Sequence, residues 1–335
     1  MLDLKLIRSQ PELIAENCRK RNVNVDIEKL LKLDEKVRQN TTEVDSLRQI
    51  RNDISNKMKG NLSVEERHPL IEESKQLRNK EAEKESLLRE LIEQRLELLK
   101  QVPNLTHPDS PEGLTDEDNQ PIRKVGTIPE FDFEPKDHVD LMEALDLIDF
   151  DGGAKVSGQK FYFLKNQAVF LELALANYAL DLLQKEGFTV HMTPDLARHQ
   201  ILDGIGFNPR GEETQIYSVE EFDLCLIATA EITLGGLLVD QVLDPERLPI
   251  MYAGFSHCYR TEAGAAGRES RGLFRVHQFS KVEMFAFTHP DHSEEMHQKM
   301  LAIEEQIYQD LGIPYQVVNI CSGDLGGPAY RKYDL

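Results

Sequence analysis

The chain has 335 residues, a formal net charge of −20 and 40% hydrophobic residues. This length allows two domains with a sizeable core, and no stretch approaches the roughly 20 apolar residues of a membrane-spanning helix. The N-terminus lacks the basic and then apolar run of a secretory signal, and the four cysteines form no CxxC pair. We therefore expect a cytoplasmic protein with reduced thiols and no metal-ligating residues.

The negative charge is unevenly distributed along the chain. Residues 1–100 contain 21 Lys/Arg and 20 Asp/Glu, whereas residues 101–335 contain 18 and 39. If the protein binds a polyanion such as a nucleic acid, the first hundred residues would repel it least.

Residues 27–58 and 66–101 are each predicted to form a long helix. Their apolar residues recur every seven positions between charged outer faces, which is typical of a coiled coil. The short KGNLS stretch at 59–63 breaks the helix, so the two helices must run antiparallel. Polar residues take three of the seam positions, namely Asn40, Arg51 and Lys84. The pattern alone leaves a dimerising or spacer coiled coil as an equal alternative.

Three sequence regions are predicted. Residues 1–102 form a helical arm domain, residues 103–124 form a linker rich in proline and acidic residues, and residues 125–335 form a domain of mixed strands and helices. Within the last region, residues 166–186 predict a helix that is apolar nearly all round and therefore buried on most sides. Such a helix either crosses the core or lies at a subunit interface, and the pattern does not choose between the two.

Residues 224–234, LCLIATAEITL, alternate between apolar and polar side chains and are predicted to form a strand. Thr229, Glu231 and Thr233 would share its polar face. A carboxylate on a central strand needs a cationic or hydrogen-bonding partner, which favours a binding site. A solvent-facing side of the strand is the alternative.

Residues 272–285, GLFRVHQFSKVEMF, alternate more sharply. One face combines an aromatic ring with ionic groups on either side, an arrangement that suits a stacked base with charges handled beside it. That face carries Arg275, His277, Phe279, Lys281 and Glu283.

The preceding strand, MYAGFSHCYRTE, is expected to place Arg260 and Glu262 on a single face. The loop between the strands, residues 263–272, carries Arg268 and Arg271 and suits the clamping of a phosphate chain. A plain hairpin with a surface loop is the alternative interpretation.

Together these segments resemble the bacterial-type seryl-tRNA synthetases, which are class II aminoacyl-tRNA synthetases. The resemblance runs over nearly the whole chain: MLDLKLIRSQPELI at the N-terminus, the helical arm, FYFLKNQAVFLELALANYALDLLQKEGFTVHMTPDL as motif 1, TAE at 229–231, YRTEAGAAGRESRGLFRVHQFSKVE as motif 2, and VNICSGDLGGPAYRKYDL. It implies an α+β fold, with an antiparallel helical coiled-coil arm and a class II antiparallel sheet flanked by helices. It also implies a homodimer formed through motif 1.

The activity implied by the resemblance is that of a serine-tRNA ligase. ATP would activate L-serine to seryl-adenylate, and the seryl group would pass to tRNA(Ser), with tRNA(Sec) as a further candidate acceptor. The helical arm of residues 1–102 would bind the tRNA, and residues 125–335 would form the catalytic domain. Mg²⁺ would accompany ATP, held largely by family residues that lie beyond residue 335.

The resemblance also assigns roles to individual residues. Arg260 would bind the α-phosphate as the catalytic residue, Arg275 would hold the γ-phosphate, Glu262 would contact the adenine side and Phe279 would stack on adenine. The full ATP-binding set is Arg260, Thr261, Glu262, Arg275, Val276, His277, Gln278 and Phe279, and the serine-binding set is Thr229, Ala230, Glu231 and Glu283.

The four-residue spacing of Arg275, Phe279 and Glu283 on one strand face offers a separate argument. Neighbours at this spacing are about 13 Å apart. Adenine at the middle residue puts serine toward one end and the γ-phosphate toward the other, which fits a folded-back ATP.

The sequence ends before the family's motif 3. We therefore expect a fragment of a longer synthetase, which by itself would activate serine poorly. Two other hypotheses remain: a paralogue that aminoacylates a carrier protein, and a non-catalytic tRNA-binding protein.

Overall fold

The computed structural model describes residues 1–60, 63–206, 216–262 and 271–335. The helices are α1 (Leu4–Ser9), α2 (Pro11–Lys20), α3 (Ile27–Met58), α4 (Val64–Leu99), α5 (His138–Ala144), α6 (Phe150–Ser157), α7 (Gln167–Lys185), α8 (His199–Ile205), α9 (Ala230–Gly236) and α10 (Ser293–Asp310). The strands are β1 (Gln120–Val125), β2 (Ile148–Asp149), β3 (Phe163–Leu164), β4 (Thr189–Met192), β5 (Leu196–Ala197), β6 (Cys225–Leu226), β7 (Ile250–Tyr259), β8 (Gln278–Phe287), β9 (Tyr315–Asn319) and β10 (Tyr333–Asp334).

The chain divides into two compact units. Unit 1 contains residues 1–122 and 318–334, and unit 2 contains residues 123–317 with Leu335. Within the described ranges, no helix is both long enough and apolar enough to cross a membrane.

The two long helices of unit 1 confirm the predicted arm. α3 and α4 have nearly the expected bounds, and Leu30, Val37 and Val44 of the predicted seam are buried. The ion pairs Asp34–Arg95 and Arg51–Glu81 join the helices in reversed order along the chain. The helices are therefore antiparallel, as the heptad pattern and the short turn predicted.

Charged residues inside the arm are paired across it. Arg51 Nη1 donates to both carboxylate oxygens of Glu81 at 2.9 and 2.7 Å, and Glu81 is buried. Asp34, only 2% exposed, accepts hydrogen bonds from Arg8 and Arg95, each at 2.7 Å. Because these pairs form at one alignment of the helices, they favour that register.

Residues 318–334 complete the base of unit 1. Arg21 is buried there and donates to the carbonyl oxygens of Gly326 at 2.6 Å and Ala329 at 2.9 Å. The backbone N–H of Asn104 donates to the carbonyl oxygen of Gly327 at 2.9 Å. Hydrogen bonds therefore join the N-terminal helices to a segment from the opposite end of the sequence.

Unit 2 is organised around a three-stranded sheet in the order β4-β7-β8. β4 pairs with β7 in parallel, and β7 pairs with β8 antiparallel. One face of the sheet packs through Ala253, Val282 and Met284 against residues of α7 and α10, including Leu183 and Ile303. The predicted α+β class is confirmed, and the face of β8 that carries Val282 and Met284 packs against the core.

The opposite face of the sheet receives α9. A Cβ added to Gly254 would lie 3.0 Å from Leu234 Cδ1 and 3.1 Å from Ala230 Cβ. A larger side chain on β7 at this position would therefore push α9 away from the sheet. Glu283 lies directly across from Gly254 on β8, so the close packing brings the start of α9 near Glu283.

Helix α7 differs from its prediction. Within this chain only Ala168 and Leu183 are buried on it, whereas Phe170 is 72%, Leu171 61% and Leu173 51% exposed. The expectation that the helix is buried on most sides is therefore wrong for the single chain. Its C-terminal part packs into the sheet core, Glu172 accepts a hydrogen bond from Ser280 of β8, and an apolar face remains open.

Candidate functional site

The candidate site lies where the β7–β8 hairpin meets the first turn of α9. Phe279, Lys281 and Glu283 alternate along β8, so they share the face that receives α9. The TAE segment at 229–231 lies at this face because the chain that follows β6 enters α9 here, with Thr229 as the N-cap of the helix.

The Thr229 hydroxyl is the centre of a buried polar cluster. Thr229 is 2% exposed, and its Oγ1 donates to Glu283 Oε2 at 2.7 Å. The same oxygen accepts from Lys281 Nζ at 3.0 Å and from the Glu231 N–H at 3.3 Å. Lys281 also forms an ion pair with Glu283. The cluster fixes the direction of the Glu283 carboxylate.

Glu231 lies next to this cluster, in surroundings that disfavour the ionised form of its carboxyl group. Burial raises the pKa of the Glu231 carboxyl above its usual value, and the nearby Glu283 carboxylate raises it further, whereas Lys281 acts in the opposite direction. The carboxylates of Glu231 and Glu283 share one ammonium group, that of Lys281, so a second cation could balance the remaining negative charge. An amine bound here would relieve the repulsion between them.

The predicted strand over 224–234 is wrong beyond Leu226. Cys225 and Leu226 form β6, but Thr229 is an N-cap whose side chain accepts a backbone N–H, and α9 begins at Ala230. The TAE sequence itself held the signal, because threonine is a favoured N-cap and glutamate is favourable in the first helical turn. Ala230 is fully buried and packs over Gly254, so its side chain serves packing.

Arg260 presents a guanidinium over an aromatic ring. Its Cζ lies 5.1 Å from the centroid of the Phe279 ring, and its buried Nε has no hydrogen-bond partner among the described residues. The Arg260 backbone N–H donates to the carbonyl oxygen of His277 at 3.0 Å, which holds the residue beside the hairpin. A buried, unpaired guanidinium N–H is a donor suited to an anion.

Arg275 and Glu262 contact each other. Arg275 Nη1 donates to Glu262 Oε2 at 3.2 Å, and the Glu262 side chain is 9% exposed. Glu262 has a φ of +50°, a left-handed conformation that is rare for a residue with a side chain. Thr261 precedes it directly and is half-buried.

Val276, His277 and Gln278 face different directions. Val276 is 6% exposed and therefore a packing residue. The His277 ring stacks on Phe161 with centroids 5.2 Å apart, and its Nδ1 lies 2.8 Å from both the Tyr217 hydroxyl and the Arg260 carbonyl oxygen. Gln278 alternates with Phe279, so its side chain lies on the other face, where it lines a cavity of about 200 Å³.

Two expectations about strand geometry are wrong. β7 ends at Tyr259 and β8 begins at Gln278, so Arg260, Glu262 and Arg275 lie outside the strands. The His277 N–H donates to the Lys160 carbonyl oxygen at 3.1 Å instead of to a strand partner, which ends the pairing. The spacing argument of about 13 Å therefore applies to Phe279 and Glu283 but not to Arg275.

The predicted phosphate clamp is only partly described. Arg268 and the rest of residues 263–270 lie outside the described residues. Arg271 does not project freely, because its guanidinium pairs with Asp137 and Asp140.

Sequence reasoning did not single out Lys281 as a site residue. Its alternation with Glu283 on one strand face could have identified it. No sequence pattern identifies Gly254, because its importance comes from the close packing of α9 against β7.

Comparisons with known proteins identify relatives over the whole chain. Residues 1–106 match the family model "Seryl-tRNA synthetase N-terminal domain", and residues 216–335 match "tRNA synthetase class II core domain (G, H, P, S and T)". Two relatives, both named serine--tRNA ligase, come from Treponema denticola, 51% identical, and Rubrobacter xylanophilus, 54% identical. Each alignment covers 100% of this chain and 79% of the relative.

Solved structures agree with these relatives. A seryl-tRNA synthetase from Pyrococcus horikoshii complexed with ATP matches with a TM-score of 0.87 and 39% identity, over 100% of this chain and 80% of that one. A cytoplasmic serine-tRNA ligase from Naegleria fowleri in complex with AMP matches with a TM-score of 0.82 and 31% identity, over 100% and 78%.

Proposed function

The chain belongs to the seryl-tRNA synthetase family, and from this premise we propose that its site activates L-serine with ATP and that the seryl group then passes to tRNA(Ser). The protein is accordingly a ligase. The observation that carries the proposal is the pair of polar clusters on one face of the β7–β8 hairpin. One contains the buried Nε–H of Arg260, which has no partner in the described part of the chain, and the other contains the carboxylates of Glu231 and Glu283.

Arg260 is proposed to bind the α-phosphate and to stabilise the charge that develops there. The serine carboxylate attacks the α-phosphorus, a P–O bond to the amino acid forms, and pyrophosphate leaves with the electrons of the broken bond. The attacking carboxylate is already ionised, so the step needs no general base. The buried Nε of Arg260, which no described residue pairs with, supports this role, because a donor placed in advance costs no reorganisation in the transition state.

The Thr229 cluster is proposed to hold L-serine. The ammonium of serine would be the second cation between Glu231 and Glu283, and the polar groups around Thr229 could hydrogen-bond the serine hydroxyl. A site that pairs with a hydroxyl rejects an analogue without it, because the buried polar groups would lose a partner. Ala230 would contribute through its backbone, since its side chain packs against the sheet.

Phe279, Glu262 and Arg275 are proposed to bind the rest of ATP. Adenine would stack on the Phe279 ring and replace part of the contact that Arg260 makes with it. Arg275 would exchange its bond to Glu262 for the γ-phosphate, which would release the Glu262 carboxylate toward the adenine side. Thr261, Val276, His277 and Gln278 remain proposed neighbours of ATP and would act mainly through their backbones or through packing.

Mg²⁺ is proposed to accompany ATP as its counter-ion. Among the described residues, no group of three or more His, Cys, Asp or Glu is arranged to hold a metal ion.

The two parts of the chain are proposed to divide the work. Residues 1–102 would bind tRNA through the arm of α3 and α4, and residues 125–335 would carry the chemistry. Residues 103–124 would join these parts, and most of them pack within unit 1. The near balance of charge in residues 1–100 supports this assignment, because the arm repels phosphates less than the rest of the chain does. tRNA(Sec) is a further candidate acceptor.

The open apolar face of α7 supports a homodimer.

Calorimetric titration of ATP and of L-serine into the purified chain tests the proposal. We expect both to bind, and we expect Arg260→Ala to weaken ATP binding at least tenfold because the α-phosphate loses a charged donor. Arg247→Ala, which removes an exposed arginine of the same unit, is the matched control. Failure of the wild-type chain to bind ATP would refute the assignment and favour a non-catalytic tRNA-binding role.

Serine-dependent pyrophosphate exchange tests the chemical step itself. Charging of tRNA(Ser), measured beside charging of a carrier protein, then separates the ligase from a carrier-protein paralogue.

A further inference from the structure

The segment of residues 271–274, called the anchor segment here, is tied to the first turn of α5. The Arg271 guanidinium pairs with Asp137, and its Nη2 donates to Asp140 Oδ1 at 2.6 Å. Asp137 is also the N-cap of α5, and its Oδ1 accepts the Asp140 N–H at 2.9 Å. The same carboxylate therefore starts the helix and holds the arginine.

His138 contacts both the backbone and an aromatic side chain of the anchor segment. The backbone N–H of Leu273 donates to His138 Nε2 at 3.1 Å. The Phe274 ring packs edge-on against the imidazole, with centroids 4.8 Å apart and an interplanar angle of 82°. Because the partner is a donor, Nε2 must present its lone pair, which places the ring proton on Nδ1.

Gly272 allows this contact. Its φ is +70°, and an added Cβ would lie 2.2 Å from His138 Nε2 and 2.5 Å from Val139 Cγ2. Glycine is therefore required twice, by the backbone conformation and by the close approach of the histidine ring. The contact depends on specific residues from both segments.

The anchor segment leads directly into Arg275. On one side the chain is held at Leu273 by His138, and on the other it is held at His277, whose N–H donates to the Lys160 carbonyl oxygen. Between these points Val276 is buried. The backbone on both sides of Arg275 is therefore held by hydrogen bonds, and one of these bonds is made by His138 of α5.

We propose that His138 is a positioning residue, which through Leu273 sets where Arg275 presents its guanidinium to the triphosphate of a nucleotide. This inference rests on the function proposed above, in which Arg275 binds the γ-phosphate. His138 itself need not touch the ligand. Its effect should therefore appear in binding of the nucleotide and not in binding of the amino acid, whose proposed site lies around Thr229.

The test compares three variants with the wild-type chain by calorimetric titration of ATP and, separately, of L-serine. His138→Ala removes the acceptor and the ring contact. His138→Gln keeps an acceptor at a similar distance from the backbone. His292→Ala removes an exposed imidazole at the start of α10 and is the matched control.

We expect His138→Ala to weaken ATP binding about three- to tenfold, the range that loss of one hydrogen bond gives. L-serine binding and the melting temperature should stay near the wild-type values. His138→Gln should recover most of the ATP affinity, and His292→Ala should behave as wild type. If His138→Ala does not fold, His138→Asn, whose side chain is too short to reach Leu273, is expected to show the same selective loss.

Two outcomes would overturn the inference while the proposed function stands. One is unchanged ATP affinity in His138→Ala, and the other is equal loss for ATP and L-serine, which would indicate a general structural role. A wild-type chain that does not bind ATP would instead overturn the proposed function, and this inference with it.

Discussion

At the scale of single residues, the Thr229 hydroxyl joins α9 to β8. It donates to Glu283, accepts from Lys281 and caps the helix that carries Glu231. One oxygen thus aligns the two carboxylates proposed to receive the serine ammonium. The Thr229 side chain has little freedom to move, because it is buried and each of its polar contacts is with a charged or backbone group.

Replacing Thr229 tests this alignment. Thr229→Val keeps the shape but removes the hydroxyl that donates to Glu283, so L-serine binding should weaken about tenfold or more, whereas Thr229→Ser should stay close to wild type. Calorimetry with L-serine measures the effect. Thr233→Val is the control, since its hydroxyl donates to the Ala230 carbonyl oxygen within the same helix. Equal affinity in Thr229→Val and Thr229→Ser would show that the hydroxyl does not matter.

Glu231 makes stability depend on pH in a direction opposite to that of a typical salt-bridged carboxylate. Its pKa in the folded chain is raised from 4.5 by burial and by Glu283. The folded state therefore retains a proton that the unfolded chain releases, and the free energy of unfolding falls as pH rises from about 4.5 through the folded-state pKa.

Glu231→Gln should remove this penalty. We expect its melting temperature to match wild type near pH 4 and to exceed it at pH 7.5, while L-serine binding weakens because the ammonium loses a carboxylate. Thermal unfolding followed across this pH range gives the comparison, with the exposed Glu220→Gln as control. A lower melting temperature of Glu231→Gln at pH 7.5 would contradict the assigned sign.

At the scale of elements, α7 combines one packed end with an open apolar face. Leu183 lies in the core of unit 2, whereas Phe170 and Leu171 are mostly exposed. Contiguous exposed apolar surface of this kind marks an interaction site. Motif 1 of the resembled family, which α7 matches, makes a second copy of the chain the proposed partner.

Charges placed on this face should separate the copies. The double variant Phe170→Asp/Leu171→Asp is expected to halve the mass in solution measured by sedimentation or light scattering, because two carboxylates would have to be buried in the interface. Leu311→Asp, at an exposed leucine after α10, should leave the mass unchanged. A wild-type chain that is already monomeric at micromolar concentration would refute the dimer.

The elements also show what sequence patterns can and cannot predict. The heptads of α3 and α4 were sufficient because burial along a coiled coil follows from periodicity alone. Alternation correctly placed Phe279, Lys281 and Glu283 on one face of β8. It misassigned 229–234, because the apolar residues there fit a strand pattern while the capping chemistry of Thr229 selects a helix.

The position of Arg275 could not be predicted from local sequence. Its place depends on contacts of its neighbours with Lys160 and with the start of α5, which are more than a hundred residues away in the chain. Short-range alternation carries no information about such contacts, so it extended β8 too far toward its N-terminus.

At the scale of the whole molecule, the proposed division of labour predicts separable losses. Deleting residues 30–100 removes nearly all of α3 and α4, so tRNA charging should be abolished, while ATP and L-serine binding and any formation of seryl-adenylate should remain largely intact. Parallel assays of exchange and charging on the same preparation give the answer. Equal loss of both activities would contradict a separate tRNA-binding arm.

Unit 1 is discontinuous in sequence, and this has a consequence for synthesis. Arg21 and Asn104 find their acceptors at residues 326–329, which leave the ribosome after all of residues 123–317. At about 5–20 residues per second, the two polar groups wait roughly 10–60 s for those carbonyls. The parts of unit 1 that hold Arg21 and Asn104 are therefore translated well before the residues that complete their packing, and this packing stays incomplete during that interval.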